Sequence, residues 1–173
     1  MDRRRYRPRR PIPSPTLRSS SSIPRNEWLY DVFINFRGKD TRNNFVSHLY
    51  AALTNVRINT FLDDEELGKG NELGPELLQA IQGSQIFIVV FSENYVRSSW
   101  CLDELLQIME CRANKGQVVM PVFYGISPSD IRQLALRRFG EAFNNNTDEL
   151  DQLIYMALSD ASYLAGWDMS NCR

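Results

Sequence analysis

Ile86-Phe87-Ile88-Val89-Val90-Phe91 is the most hydrophobic run in the chain. Six consecutive apolar residues without polar alternation fit a central strand buried on both faces, the state of strands in parallel sheets. Next comes Ser98-Ser99-Trp100-Cys101-Leu102-Asp103-Glu104-Leu105-Leu106-Gln107-Ile108-Met109-Glu110-Cys111. It reads as a helix that begins at the serines, because a serine hydroxyl can accept from one of the first free backbone N–H groups.

Working outward, the same alternation repeats. Tyr30-Asp31-Val32-Phe33-Ile34-Asn35-Phe36 is β-branched and aromatic and stops at Arg37-Gly38, so it reads as a buried strand and a loop. Asp40-Thr41 can cap a following helix with an apolar stripe of Phe45, Leu49, Ala52 and Leu53. Residues 57–61 read as a short second strand, ending in a polar loop over 62–74 that contains Gly68 and Gly70. Pro75 suits the first turn of a helix carrying Leu77, Leu78 and Ile81. Residues 117–124 form a fourth strand, in which Pro121 marks an irregularity or a place near an edge. One or two short helices are expected over 129–143, a break at Asn144-Asn145-Asn146, and a last helix over 148–165 ended by Gly166-Trp167-Asp168. No internal repeat is present. Strands alternating with helices define an α/β layered fold with a parallel sheet of four to five strands.

At 100° per residue, the helix from Ser98 puts Asp103, Gln107 and Glu110 on one side, facing water. Glu104 falls instead inside the apolar arc, between Cys111 and Ile108. A carboxylate there is partly desolvated, so its proton affinity rises and its hydrogen bonds strengthen. Catalytic carboxylates are often placed in this way. The alternative is that Glu104 lies at the edge of the arc and reaches solvent or a nearby arginine.

The chain has 173 residues, enough for one domain with a sizeable core, and 43% of them are hydrophobic. Its net charge of −1 conceals an asymmetry. Residues 1–26 contain eight arginines and one acid, Asp2, while the remainder carries twelve basic and twenty acidic residues. Charge therefore gives the folded part no reason to bind nucleic acid. The leader, 1–26, is rich in Arg, Ser and Pro and has too few apolar residues to fold, so disorder is expected. It lacks the apolar segment of a secretory signal, although its composition also suits an organelle transit peptide or a weak contact with an anionic surface. No apolar run approaches the ~20 residues of a membrane span. Cys101 and Cys111 are ten residues apart on one helix, about 15 Å by helical rise, too far for a disulfide. With Cys172 the count is odd, which points to a reducing compartment. His48 is the single histidine, so a His-based metal cluster is not available and no metal site is expected.

In parallel α/β sheets ligands sit outside the carboxyl ends of the strands. Those ends are Phe36-Arg37-Gly38, the loop after Phe61, Phe91-Ser92-Glu93 and Tyr124-Gly125. Arg37, the 62–74 loop and Glu104 can therefore converge on one crevice.

The residues in these places resemble a family. Tyr30-Asp31-Val32-Phe33, Phe36-Arg37-Gly38 and Asp40-Thr41-Arg42 look like the opening of a plant-type Toll/interleukin receptor (TIR) domain. The similarity continues in order through Ser47-His48-Leu49-Tyr50, Phe61-Leu62-Asp63-Asp64, Lys69-Gly70, Val90-Phe91-Ser92-Glu93-Asn94-Tyr95 and Ser99-Trp100-Cys101-Leu102-Asp103-Glu104-Leu105. It ends with Pro121-Val122-Phe123-Tyr124, Ser127-Pro128-Ser129-Asp130-Ile131-Arg132 and Ala157-Leu158. One such motif would say little; many in order over residues 30–168 are specific, and the domain is taken as 27–173. The acidic pair Asp63-Asp64 is also a feature of phosphoacceptor receiver domains, but the first strand here ends in Arg37-Gly38 without the acid those need.

The resemblance implies a flavodoxin-like, three-layer fold with a parallel sheet. It implies cleavage of NAD at the nicotinamide–ribose bond in immune signalling, NAD being a substrate and no cofactor being needed. By resemblance Glu104 is the catalytic carboxylate, and Arg37, Gly38, Arg42, Lys69, Ser99 and Trp100 line the substrate site. An arginine there can pair with a pyrophosphate. Against this, Arg37 could be a surface or a salt-bridged residue, Trp100 could plug the core, and Lys69 could simply be solvated. Ser47 and His48 match a self-association surface, so other TIR domains are the expected partners, in homo- or hetero-association. A cytoplasmic location is expected, with the nucleus or an organelle as alternatives.

Three residues depart from the family pattern: Lys39 replaces a usual acid, Asn35 a common serine, and Ile154 a usual tryptophan. The family also continues past the equivalent of Gly166-Trp167-Asp168 with a helix packed on the sheet. That helix is expected to be missing, leaving apolar surface exposed. Two functions follow: an NAD-cleaving enzyme, or a non-catalytic adaptor or decoy acting by TIR–TIR association.

Overall fold

A computed structural model describes residues 28–63, 73–145 and 148–169. The leader, 1–26, for which disorder is expected, Lys69 and Cys172 lie outside these residues. The elements are β1 (Tyr30–Phe36), α1 (Gly38–Thr41), a π-helical turn (Arg42–Val46), α2 (Ser47–Asn55), β2 (Thr60–Leu62) and α3 (Pro75–Gln82). They continue with β3 (Ser84–Phe91), a 3-10 turn (Tyr95–Arg97), α4 (Ser99–Lys115), β4 (Val118–Tyr124), α5 (Pro128–Asn145), α6 (Glu149–Tyr163) and β5 (Trp167–Met169).

All strand pairs are parallel, and the order is β2-β1-β3-β4-β5. This is the flavodoxin-like order of doubly wound sheets. The apolar runs that read as buried strands occupy its centre: Phe33, Phe87, Val89 and Phe91 are fully buried. Register fixes two faces, because side chains alternate along a strand. Phe33, Phe87, Phe91 and Phe123 point to the face covered by α3, α4, α5 and α6. Val32, Ile34, Phe36, Val90 and Val122 point to the other, packed by Val46 with Phe45, Leu49 and Leu53. On this second face Ile86, Ile88, Tyr124 and Met169 are only half-buried. Val118 and Trp167, paired with Ile86 and Val122 on the same face, are 51% and 56% exposed.

Local signals account for several boundaries. Ser98 Oγ accepts from the Cys101 amide, so α4 begins at the serines as its sequence predicts. It runs four residues beyond Cys111 and ends where Gly116, at φ +69°, donates to Arg112 O, a left-handed cap that glycine adopts without strain. Asp148 caps α6 by accepting from the Asp151 amide.

Five expectations are corrected. The second strand starts at Thr60, not 57, because Arg57 itself is left-handed (φ 62°) and closes α2, with Ile58 N donating to Leu53 O at 3.0 Å. Asp40 caps nothing; it lies inside α1 and accepts from side chains and backbone across the fold. Ala52 is exposed, so the stripe that α2 packs is narrower than predicted. Over 129–143 the chain forms a single helix, one of the two arrangements expected, but it is not short: it continues through Asn144 and Asn145, where a break was expected. Trp167 and Asp168 do not merely end a helix: they form β5 beside β4. A Cβ on Gly166 would meet Pro121 O at 2.2 Å, so only glycine lets the chain approach β4 this closely. Pro121 sits one residue before the part of β4 that pairs with β5, which is how an otherwise interior strand tolerates it.

Candidate functional site

Because the sheet order places β2 beside β1 and the return through β3 on its other side, β1 and β3 flank the topological switch point. Phe36 and Phe91 mark their carboxyl ends. The start of α4 lies over this position: Cys101 Sγ donates to Phe36 O at 3.4 Å. Both Cys101 and Cys111 are buried, and neither is in a disulfide among the described residues.

Glu104 follows one turn later and is 3% exposed. It therefore occupies the interior, as the helical wheel predicts, and does not reach solvent at the arc's edge. The opposite side is less wet than expected, since Asp103 and Gln107 are half-buried and only Glu110 is fully exposed. Glu104 Oε2 accepts from Asn35 Nδ2 at 2.7 Å. Burial pushes its carboxyl up to about 8; the Asn35 amide opposes this, and the neighbouring Asp63 carboxylate adds to it.

Asn35 is fully buried on the same face of β1 as Phe33. Its Nδ2 lies 3.4 Å from Cys101 O, and its Oδ1 accepts from the Tyr95 hydroxyl. Tyr95 is fully buried, and burial pushes its phenol well above the ordinary range, so it remains a donor. The sequence reading gave Asn35 and Tyr95 no role. The available signal was a polar residue set inside an apolar strand.

Beside Glu104 opens a cleft of about 380 Å³, lined by Phe61, Leu62, Asp63, Leu77, Trp100 and the turn Gly74-Pro75-Glu76. Trp100 is half-buried, packs against the main core and donates from Nε1 to Asp63 Oδ2 at 3.0 Å. Glu104 lies behind this pair rather than on the described cleft wall.

The remaining candidates are placed as follows. Arg37 donates through Nη1 to Asp40 Oδ1 at 2.6 Å and is therefore salt-bridged. Asp40 in turn accepts from Ser92 Oγ at 2.6 Å and the Asn94 amide at 3.1 Å, tying the β1 end to the β3 end. Burial opposes ionisation of Asp40, but the bonds from Ser92, Arg37 and Asn94 outweigh it and hold the carboxyl below its usual range. Gly38 is buried in α1. Arg42 donates to Asp63 O at 3.1 Å and lies 5.1 Å from the centre of the Phe36 ring. Ser99 is exposed at the start of α4. Arg42, Asp63, Trp100 and Glu104 are therefore brought together, with Arg37 and Gly38 at the adjoining turn. Ser47 and His48 lie apart, exposed on α2. Among the described residues no group of His, Cys, Asp and Glu is arranged to hold a metal, and no helix is long and apolar enough to cross a membrane.

A flavodoxin-like sheet with a buried glutamate behind a tryptophan-lined cleft at its carboxyl end defines an α/β domain of the TIR type. The chain belongs to the TIR domain family, whose model matches residues 29–173. It is 47% identical over 158 residues to Disease resistance protein RPV1 of Vitis rotundifolia, covering 90% of this chain and 11% of that protein. It is 46% identical over 153 residues to TMV resistance protein N of Nicotiana glutinosa, covering 85% of this chain and 13% of the relative. The chain thus spans about an eighth of these relatives. Among solved structures, the TIR domains of the activated Roq1 resistosome recognising the pathogen effector XopQ match with a TM-score of 0.71 and 40% identity, covering 83% of this chain and 89% of that one.

Proposed function

We propose that this TIR domain cleaves NAD at the nicotinamide–ribose bond as part of plant immune signalling, with Glu104 as the catalytic carboxylate. The observation that carries the reading is the buried Glu104 beside a cleft at the carboxyl end of the sheet, next to β2. As the bond from the ribose C1′ to the pyridinium nitrogen breaks, its electron pair returns to the ring. Nicotinamide leaves neutral and needs no acid, while the ribose gains oxocarbenium character. A fixed carboxylate in a low-dielectric site stabilises that charge strongly. Water then adds to C1′ and loses a proton.

The cationic substrate ring also favours ionised Glu104, offsetting part of the burial that holds its proton. In this reading Trp100 offers a ring face in the cleft. Arg37, Arg42, Gly38 and Ser99 surround the nucleotide; Lys69 is a further candidate and lies outside the described residues.

Concentrated purified protein incubated with NAD should release nicotinamide. Glu104→Ala should lower the rate on the order of 10²–10³-fold, and Asp103→Ala should leave it within about twofold, since Asp103 lies on the other side of the helix. Equal losses in both variants would overturn the assignment.

The adaptor reading is favoured by a different observation, the exposed Ser47 and His48 and the half-covered sheet face with Val118 and Trp167 at its margin. In that reading the chain acts by associating with other TIR domains. Co-precipitation with a TIR partner, together with no nicotinamide release at any protein concentration, would select it.

A further inference from the structure

The mechanism above uses Glu104 but leaves unexplained the polar chain behind it. Asn35 is a fully buried amide at the end of a central strand, and both its ends are occupied. Those ends differ chemically: Nδ2 donates and Oδ1 accepts. The Tyr95 hydroxyl, kept protonated by burial, donates to Oδ1 and therefore turns Nδ2 toward Glu104. Flipping the amide would face Oδ1 toward the Glu104 carboxylate, set two acceptors against each other and give up the Tyr95 bond to Oδ1. The same hydroxyl lies 3.2 Å from Cys101 O, so Tyr95 is itself held between β1 and the first turn of α4.

We propose that Asn35, oriented by Tyr95, is the positioning residue of this site: it fixes the place of the Glu104 carboxylate and holds it as a hydrogen-bond acceptor. The proposal rests on Glu104 being the group that meets the developing cation. The groups that face Glu104 divide by sign. Asp63, from the end of β2, opposes ionisation by its charge, while the Asn35 donor and, to a lesser extent, the Trp100 indole favour it. Tyr95, after β3, and Cys101, on the same helix, are buried among them. Asn35 thus offsets part of the burial and of the Asp63 repulsion that act on Glu104. An apolar residue in its place would leave the carboxylate without this partner.

The test combines two variants with two readouts. Tyr95→Phe is nearly isosteric and removes only the hydroxyl that orients the amide; Asn35→Ala removes the donor. In protein without NAD, the Glu104 carboxyl is titrated by carbon-13 NMR. Its midpoint should rise on the order of one pH unit in Asn35→Ala and by a smaller step in Tyr95→Phe. In nicotinamide release, both variants should lower kcat about tenfold or more while KM stays within about twofold, the pattern of an interaction made in the transition state. A purely structural role would instead lower thermal stability and leave the Glu104 titration of surviving folded protein unmoved. Unchanged titration in the variants overturns the proposal, as does a shifted titration with unaltered kcat. If Asn35→Ala does not fold, Tyr95→Phe decides alone. If the wild-type protein releases no nicotinamide, the NAD reading fails on that result, while the NMR titration still shows whether Asn35 holds the carboxylate.

Discussion

Trp100 Nε1 donates to Asp63 Oδ2 at 3.0 Å, joining the first turn of α4 to the end of β2 directly in front of Glu104. The pair does two things at once. It forms a wall of the cleft, and it holds a second carboxylate beside Glu104, where like charge raises the proton affinity of the buried group.

Asp63→Asn separates these roles. The side-chain oxygen of asparagine can still accept from the Trp100 indole, but the charge is gone. Glu104 should then ionise at lower pH. The profile of kcat/KM, which reports the free enzyme, should rise toward pH 8 in the wild type, following the carboxyl at about 8. In Asp63→Asn the rising limb should move to lower pH. The pH dependence of nicotinamide release in the two proteins checks this; coincident limbs would mean that Asp63 does not act on Glu104.

Burial of Glu104 also makes stability depend on pH. Its folded value, about 8, lies above the ordinary 4.5, so the folded state binds the proton more tightly than the unfolded chain. The stability this provides is complete below about pH 4.5 and is lost as pH rises through 8, an effect on the order of a few kcal/mol. Glu104→Gln is isosteric, permanently neutral and still able to accept from Asn35. The variant should match the wild type near pH 4.5 and exceed it increasingly up to pH 9. Urea unfolding across that range measures the difference; a constant offset would show that ionisation of Glu104 is not its source.

How much of this could be read beforehand depended on distance along the chain. The β3 run, the Ser98 cap and the Glu104 side of α4 were legible because each is set by neighbours within a few residues. The strand β5 was not: three residues carry no period, and Trp167–Met169 are a strand only because Gly166 lets them lie against Pro121. Asn35 was visible as a polar break in an apolar run, but its partner Glu104 is 69 residues away and nothing local names it. Asp40 gave a misleading local signal. Its position suits a cap, yet its oxygens are taken by Ser92, 52 residues on, and by the Asn94 amide. Tertiary hydrogen bonds outcompeted the local one.

That arrangement makes Asp40 a structural clamp. Its carboxylate accepts from Arg37, Ser92 and Asn94, and an asparagine cannot accept at both oxygen positions. Asp40→Asn should lose about 1–3 kcal/mol at neutral pH. Because the folded value is lowered, the wild-type advantage is present above the ordinary 3.8 and disappears as pH falls through the folded value. The gap between the two proteins in chemical unfolding should therefore be full at pH 7 and shrink below pH 4. A gap that persists in acid would assign it to packing rather than to the carboxylate.

His48 offers a cleaner separation of assembly from folding. It is exposed on α2, a helix without a single buried residue, and Ser47 beside it spends its hydroxyl on Asn44 O at 2.9 Å within its own turn. A solvent-facing helix residue of this kind changes stability by less than about 0.5 kcal/mol on substitution. His48→Ala should accordingly leave the melting temperature and the monomer unaltered. If α2 is the association surface, the same change should weaken self-association at high protein concentration and co-precipitation with a longer TIR partner. Contacts from one short helix bury little area and are transient, so the isolated chain should be monomeric at micromolar concentration. Light scattering over a concentration series, run on wild type and His48→Ala, reads both effects. A stable dimer at micromolar concentration that is indifferent to His48→Ala would place the interface elsewhere, with the half-covered sheet face near Val118 and Trp167 the next surface to alter.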